Sequence, residues 1–264
     1  MIIDTHAHVH PGRDGLGAKQ DASLEAFLAE LDRSPLDLAV LLPIEPIIPN
    51  TFVFEAAQRR PGRIRCHGSV DPKRGEACWE HFEQLAAEHP IVGLKLHPRR
   101  QGITKAHWPV LKGLTQRAAA HDLPVLVDSF PHGKGALRDD SLELIEALSD
   151  AVPKAKLIIA HMGGIRILEA LILARTSYRI YMDLSLILKV YKGSHIEQDI
   201  FYAIRRIGAD RCLYGSDHPD VPLNESYESM RRELDGRGFT DSEQDWIFGL
   251  TAQQVLKLNG EGAE

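Results

Sequence analysis

The chain has 264 residues, 44% hydrophobic and 26% charged, which are the proportions of a globular protein with enough apolar side chains for a full core, so disorder is excluded. Net charge is −6 and no block of Lys and Arg tracks a phosphate backbone, which excludes nucleic acid as the expected partner. Cys66, Cys78 and Cys212 are odd in number and lack metal-type spacing, and no apolar run approaches bilayer length; a reduced, cytoplasmic setting without export or membrane insertion is expected.

The first strand is expected over residues 2–8. Its stretch "DTHAHVH" (4–10) puts Asp4, His6, His8 and His10 at one parity, so two imidazoles share a strand face and can point at one divalent ion. A helical pattern at 23–34 follows, then apolar runs "DLAVLLPI" (37–44) and "IRCHGSV" (64–70), a helix at 78–89, "IVGLKLH" (91–97), a helix at 108–121 and "PVLVDSF" (124–130). A helix at 141–152 leads to "KLIIAHM" (156–162) and "YRIYMDLS" (178–185). A helix at 194–207 then precedes "RCLYGSD" (211–217), and residues 240–258 read as additional C-terminal helix on the outside or bottom. Several strands are apolar at nearly every position, as parallel strands covered on both faces are.

Eight strands alternating with helices, with no Pro/Gly-rich linker between halves, predict a (β/α)8 TIM barrel in one domain over 1–264, slightly elaborated at the C-terminus. A doubly wound open sheet is the structural alternative, but no glycine-rich phosphate turn follows the first strand. A barrel gathers chemistry at the C-terminal ends of its strands. His6 and His8 close strand one, Lys95 and His97 strand four, Asp128 strand five and His161 strand six, while Asp217 follows strand eight. Buried together without partners, such groups each cost about 1–3 kcal/mol, and a bound metal satisfies several at once.

These residues resemble the amidohydrolase superfamily, in particular the branch called amidohydrolase family 2. "DTHAHVH" is similar to its strand-one D-x-H-x-H signature, "GLKLHP" (93–98) to its strand-four motif, "IIAHMGG" (158–164) to its strand-six histidine and "YGSDHP" (214–219) to its strand-eight aspartate, in the right order over nearly the whole chain. The resemblance implies a divalent metal, mononuclear or less often binuclear, bound by His6 and His8, with Asp217 as a further ligand or general base and His161 as a ligand or acid/base. The family usually carries a metal-binding histidine at the end of strand five, where this chain has Asp128. As a ligand Asp128 shifts preference from Zn²⁺, the first expectation, towards Mn²⁺ or Mg²⁺; otherwise it orients a histidine, or His97 or His132 takes its place.

The expected activity is metal-dependent hydrolysis of an amide, lactone or ester, with Asp217 and His161 catalytic. Non-oxidative decarboxylation of a small aromatic or unsaturated acid is the alternative enzyme reading, and a non-catalytic barrel binding a small acid the alternative from another class. Basic residues follow several strands: Arg13 and Lys19; Arg99, Arg100 and Lys105; Lys134 and Arg138; Lys189 and Lys192. With Lys95 and His97, Arg99 is the expected substrate contact, and the substrate is expected to be small and anionic. Homo-oligomerisation is left open, and Asp4 is expected to be structural, near the barrel floor.

Overall fold

The computed structural model describes residues 1–12 and 20–258. Eight parallel strands run in sheet order: β1 (Ile3–Ala7), β2 (Leu38–Leu41), β3 (Ile64–Ser69), β4 (Ile91–Leu96), β5 (Val125–Val127), β6 (Leu157–Ile159), β7 (Ile180–Asp183) and β8 (Cys212–Leu213). The ends of the sheet meet through the main chain. Thr5 donates to the Tyr214 carbonyl at 2.9 Å, and His8 to His218 and Asp217 to His6 at 2.7 Å each. After the strands come α1 (Leu24–Leu31), α2 (Asn50–Gln58), α3 (Ala77–Glu88), α4 (Trp108–Ala120), α5 (Ser141–Ala151), α6 (Ile167–Ala174), α7 (His195–Ile207) and α8 (Leu223–Gly236). The fold is a TIM barrel, and each of the eight strands lies within an expected apolar run.

Burial explains why these runs become strands. Every residue of β2, β5 and β6 is buried, because each strand has the barrel interior on one side and the helical layer on the other. Inside the barrel, Ile3, Leu38, Val40, Leu42, Val92, Leu126, Ile158 and Leu213 form one apolar cluster with Ala252, Val255 and Leu256. The expected C-terminal helix, observed as helical segments from Asp241 to Leu256, therefore plugs the end of the barrel opposite the βα loops. That end is sealed by apolar packing, and polar residues concentrate at the other. Helices α2, α6 and α8 are additional to those read from the sequence. Among the described residues no helix is long and apolar enough to cross a membrane.

Candidate metal centre and active-site cavity

Strand β1 delivers both imidazoles in one ligating form. His8 donates from Nδ1 to the Leu42 carbonyl at 2.8 Å, which leaves the Nε2 lone pair free, and His6 gives its Nδ1 proton to the Asp183 carboxylate, which frees Nε2 likewise. Both unprotonated nitrogens face Asp217, whose Oδ1 lies 3.5 Å from His6 Nε2 and 3.8 Å from His8 Nε2. Those separations suit donors sharing one ion at roughly 2.0–2.2 Å. Burial lowers the pKa of both histidines, with Lys95 nearby adding to the effect, so the neutral ligating form is favoured. Burial opposes the charge on Asp183, but His6 and His161 outweigh it and hold the carboxyl near 2.

His161 stands beside this group, and one donor atom each of His6, His161 and Asp217 lies within 4.8 Å of the others. Its Nδ1 donates to the Ser185 carbonyl at 3.1 Å and its Nε2 faces Asp128 Oδ2 at 3.2 Å. Both ring nitrogens thus meet acceptors, which is the pattern of an imidazolium. Burial works against that charge, but Asp217, Asp128 and Asp183 raise its pKa to about 9. Burial likewise opposes ionisation of Asp128, yet His97, His161 and Lys95 crowd it and keep its pKa well below the usual carboxylate range. Asp128 Oδ1 lies 3.4 Å from His97 Nδ1, and burial pushes His97 down to about 3.

The sequence makes these positions by departing from regular backbone at the strand ends. His161 and Met162 take left-handed φ of 53° and 51°, followed by Gly163 and Gly164 at 78° and 60°. A Cβ on Gly163 would come 2.9 Å from Ala170 and one on Gly164 3.0 Å from Phe130 and from Pro131, so "HMGG" turns where larger residues cannot follow. Of the six non-glycine residues with positive φ among the described ones, His161, Leu186 and Asp217 line the cavity at the strand ends. Such conformations cost on the order of 1–3 kcal/mol each and gather at functional sites.

That cavity, of about 570 Å³, opens at the strand ends. His8, His97, Asp128, His161 and Asp217 form its polar depth; Val9, Ile44, Ile48 and Phe130 give apolar walls; Arg99, Arg100 and Lys189 bring positive charge. His10, His132 and Asp220 also line it.

All the expected site residues fall in one region, at different depths. His6 and Lys95 are wholly buried and do not line the cavity. Lys95 Nζ donates to His6 Nε2 at 3.2 Å and lies 3.9 Å from Asp128 Oδ2, so the lysine and a metal ion compete for one lone pair. Arg99 lines the cavity from an exposed position, while Arg100 beside it is more buried. Lys105, Lys134, Arg138 and Lys192 do not line it, and Arg13 and Lys19 lie outside the described residues. Asp4 is structural, its Oδ1 accepting from the His6 and Ser216 main chains at 3.0 Å each. Sequence reasoning missed Asp183 and Ser185; Asp183 ends an apolar run as the others do, so the same rule applied to β7 finds it.

The donor set fits a divalent ion: two neutral imidazoles in the right tautomer, a carboxylate between them and a carboxylate orienting His6 from behind. Solved structures share the fold. A probable 2-pyrone-4,6-dicarboxylic acid hydrolase from Acinetobacter baumannii, with citric acid bound, matches at 20% identity and TM-score 0.72 over 97% of this chain and 99% of its own. An uncharacterised TIM-barrel protein from Bordetella bronchiseptica matches at 18% and 0.76 over 97% and 98%. A 2,6-dihydroxybenzoate decarboxylase from Rhizobium matches at 16% and 0.69 over 98% and 99%. A search of curated proteins gives no significant match. A family model described as amidohydrolase matches residues 3–258, nearly the whole chain, and the protein belongs to that family.

Proposed function

We propose that this protein is a metal-dependent hydrolase that cleaves an amide, lactone or ester bond of a small anionic substrate. The observation that carries the reading is the convergence of the unprotonated Nε2 atoms of His6 and His8 on Asp217 at the base of a cavity with cationic walls. His6, His8 and Asp217 hold the ion, with His161 beside them. Zn²⁺ suits this N/O set, and Mn²⁺ or Mg²⁺ gains if Asp128 joins. A bound divalent ion supplies Lewis acidity and brings the pKa of a water towards about 7.

The chain's own residues supply the rest. Asp217 accepts the proton of the attacking water and passes it to the leaving group. His161 keeps its Nδ1 proton on the Ser185 carbonyl and shares its Nε2 proton with Asp128, and that shared proton is the one it can give up to oxygen charge developing in the substrate. Arg99, Arg100 and Lys189 receive the substrate's anionic group, and Ile44, Ile48 and Phe130 exclude water from its apolar part.

The apolar and aromatic wall beside those cations also suits decarboxylation of an aromatic acid, with His161 protonating the carbanion; one solved structure of this fold is a 2,6-dihydroxybenzoate decarboxylase. Incubating metal-loaded protein with carboxylated lactones, esters, amides and aromatic acids in ¹⁸O-water separates the readings. Label in the organic product is the expected result, whereas carbon dioxide release with an organic product free of label overturns hydrolysis in favour of decarboxylation. Protein that retains no stoichiometric divalent ion under metal-replete conditions overturns both.

A further inference from the structure

Helix α6, "ILEALILA", carries Glu169 as its only polar residue. A helix apolar on all sides belongs in an interior, yet only its inner face, Ile167, Ala170, Leu171, Leu173 and Ala174, is buried by the barrel. On the outer face Leu168 is 45% and Ile172 68% exposed, and Ile165, just before the helix, is 61% exposed. Two neighbouring segments extend this surface. Leu137, fully exposed, sits in a turn tied to the start of α6 by a 3.0 Å hydrogen bond from Arg166 to the Asp139 carbonyl. Val190, 46% exposed, lies beside Tyr191, which hydrogen-bonds the Ile165 main chain. Five of the nine large apolar side chains exposed among the described residues therefore lie on the consecutive segments that follow β5, β6 and β7.

We propose that this face is the interface of a homodimer, with α6 packing against α6 of a second copy about a two-fold axis. The area favours this occupant: the five side chains present roughly 600 Å² of mostly apolar surface, the upper end for a monomer and most of the ~800 Å² per partner in a stable complex. The nearby Arg166 is paired with both Glu143 and Glu169, so no unpaired cation adjoins the patch, and the one excess negative charge sits on exposed carboxylates that can stay at a solvated rim. A symmetric pairing lets Leu168 of each copy meet Ile172 of the other, which an isologous interface requires. Val190 also lines the active-site cavity, so the second copy stands next to the cavity mouth on its β7 side.

Sedimentation velocity on the full chain over micromolar concentrations tests this. The wild type is expected near twice 29.4 kDa. Ile172→Glu and Leu168→Glu are each expected to raise the dimer dissociation constant at least ~100-fold with unchanged circular dichroism, while Leu250→Glu, exposed elsewhere on the barrel, leaves the dimer intact. A wild type that stays at the monomer mass overturns the proposal, as does a dimer that survives both α6 substitutions. Monomer binding to phosphatidylcholine/phosphatidylglycerol vesicles, lost in Ile172→Glu, assigns the face to a lipid surface and also overturns it.

Discussion

Asp183 and His6 are locked together across the barrel: the carboxylate that ends β7 takes the Nδ1 proton of the strand-one histidine and so fixes which nitrogen faces Asp217. An acceptor behind a ligating histidine sets its tautomer and raises its basicity, and losing one typically costs 10–100-fold in metal affinity. Asp183→Ala is expected to lose affinity for Zn²⁺ by about that factor, measured by competition with a chromogenic chelator. Unchanged affinity in a folded variant would remove Asp183 from the site.

Asp217 holds a φ of 60°, a conformation asparagine tolerates well, so Asp217→Asn removes the charge and leaves the turn in place. Turnover is expected to fall about 10²–10⁴-fold, as loss of a general base does. Melting temperature should stay within a few degrees of wild type. Wild-type kcat in the variant would refute the assigned role.

The barrel and the gathering of His8, His97, Asp128, His161 and Asp217 were readable because most of the strands are apolar runs followed by a polar group, and parallel topology brings such ends together. Depth was not readable. Lys95 and His97 share a parity, but two residues along a strand span about 6.6 Å, and that step takes Lys95 from the cavity wall into the interior. His6 lies below His8 in the same way. Helix α6 was hidden because a helix apolar on nearly every side has no 3.6-residue signal, while α8 spaces Leu223, Tyr227, Met230 and Leu234 along its buried face and was there to be read. The β8 run is read over 211–217, but regular pairing with β7 ends at Leu213; beyond it the chain stays against β1 through the main chains of Tyr214 and Asp217, and the left-handed Asp217 faces the cavity.

Lys95 donates to His6 Nε2, the nitrogen proposed to hold the metal ion, and lies 3.9 Å from Asp128 Oδ2. Replacing it by methionine, similar in length and uncharged, removes both the competing hydrogen bond and a like charge. Lys95→Met is therefore expected to bind a divalent ion several-fold more tightly, and KM should hardly move because the side chain does not reach the cavity. Equilibrium dialysis with elemental analysis measures the first, steady-state kinetics the second. Weaker metal binding would mean that Lys95 supports the site.

Arg99 and Arg100 offer the cavity two adjacent guanidinium groups, and burial pushes the pKa of Arg100 down, with Arg99 beside it adding to the effect. A guanidinium in that setting gains from an arriving anion. Arg100→Gln is expected to raise KM for a carboxylate substrate about 10–100-fold with kcat little changed, in line with ~1.5–3 kcal/mol for a charged hydrogen bond. A fall in kcat alone would place Arg100 in the chemical step.

His67 lies in the middle of β3, fully buried, with neither ring nitrogen hydrogen-bonded and its ring where a Cβ on Gly93 would come within 2.7 Å. Burial, helped by Lys95 and His6, pushes its pKa to about 3. The unfolded chain binds this proton near pH 6.5, so the folded state is fully favoured above that pH and loses stability as pH falls towards 3, by up to ~1.4 kcal/mol per pH unit. His67→Leu removes the proton-binding difference together with an unpaired buried polar group. Urea unfolding at pH 7, 6, 5 and 4 should show the variant more stable at neutral pH by about 1–3 kcal/mol and shallower in its acid loss by one proton. His67→Gln, which keeps a polar side chain, should share the shallower slope without the neutral-pH gain; if both variants follow the wild-type slope, His67 is protonated inside the folded barrel.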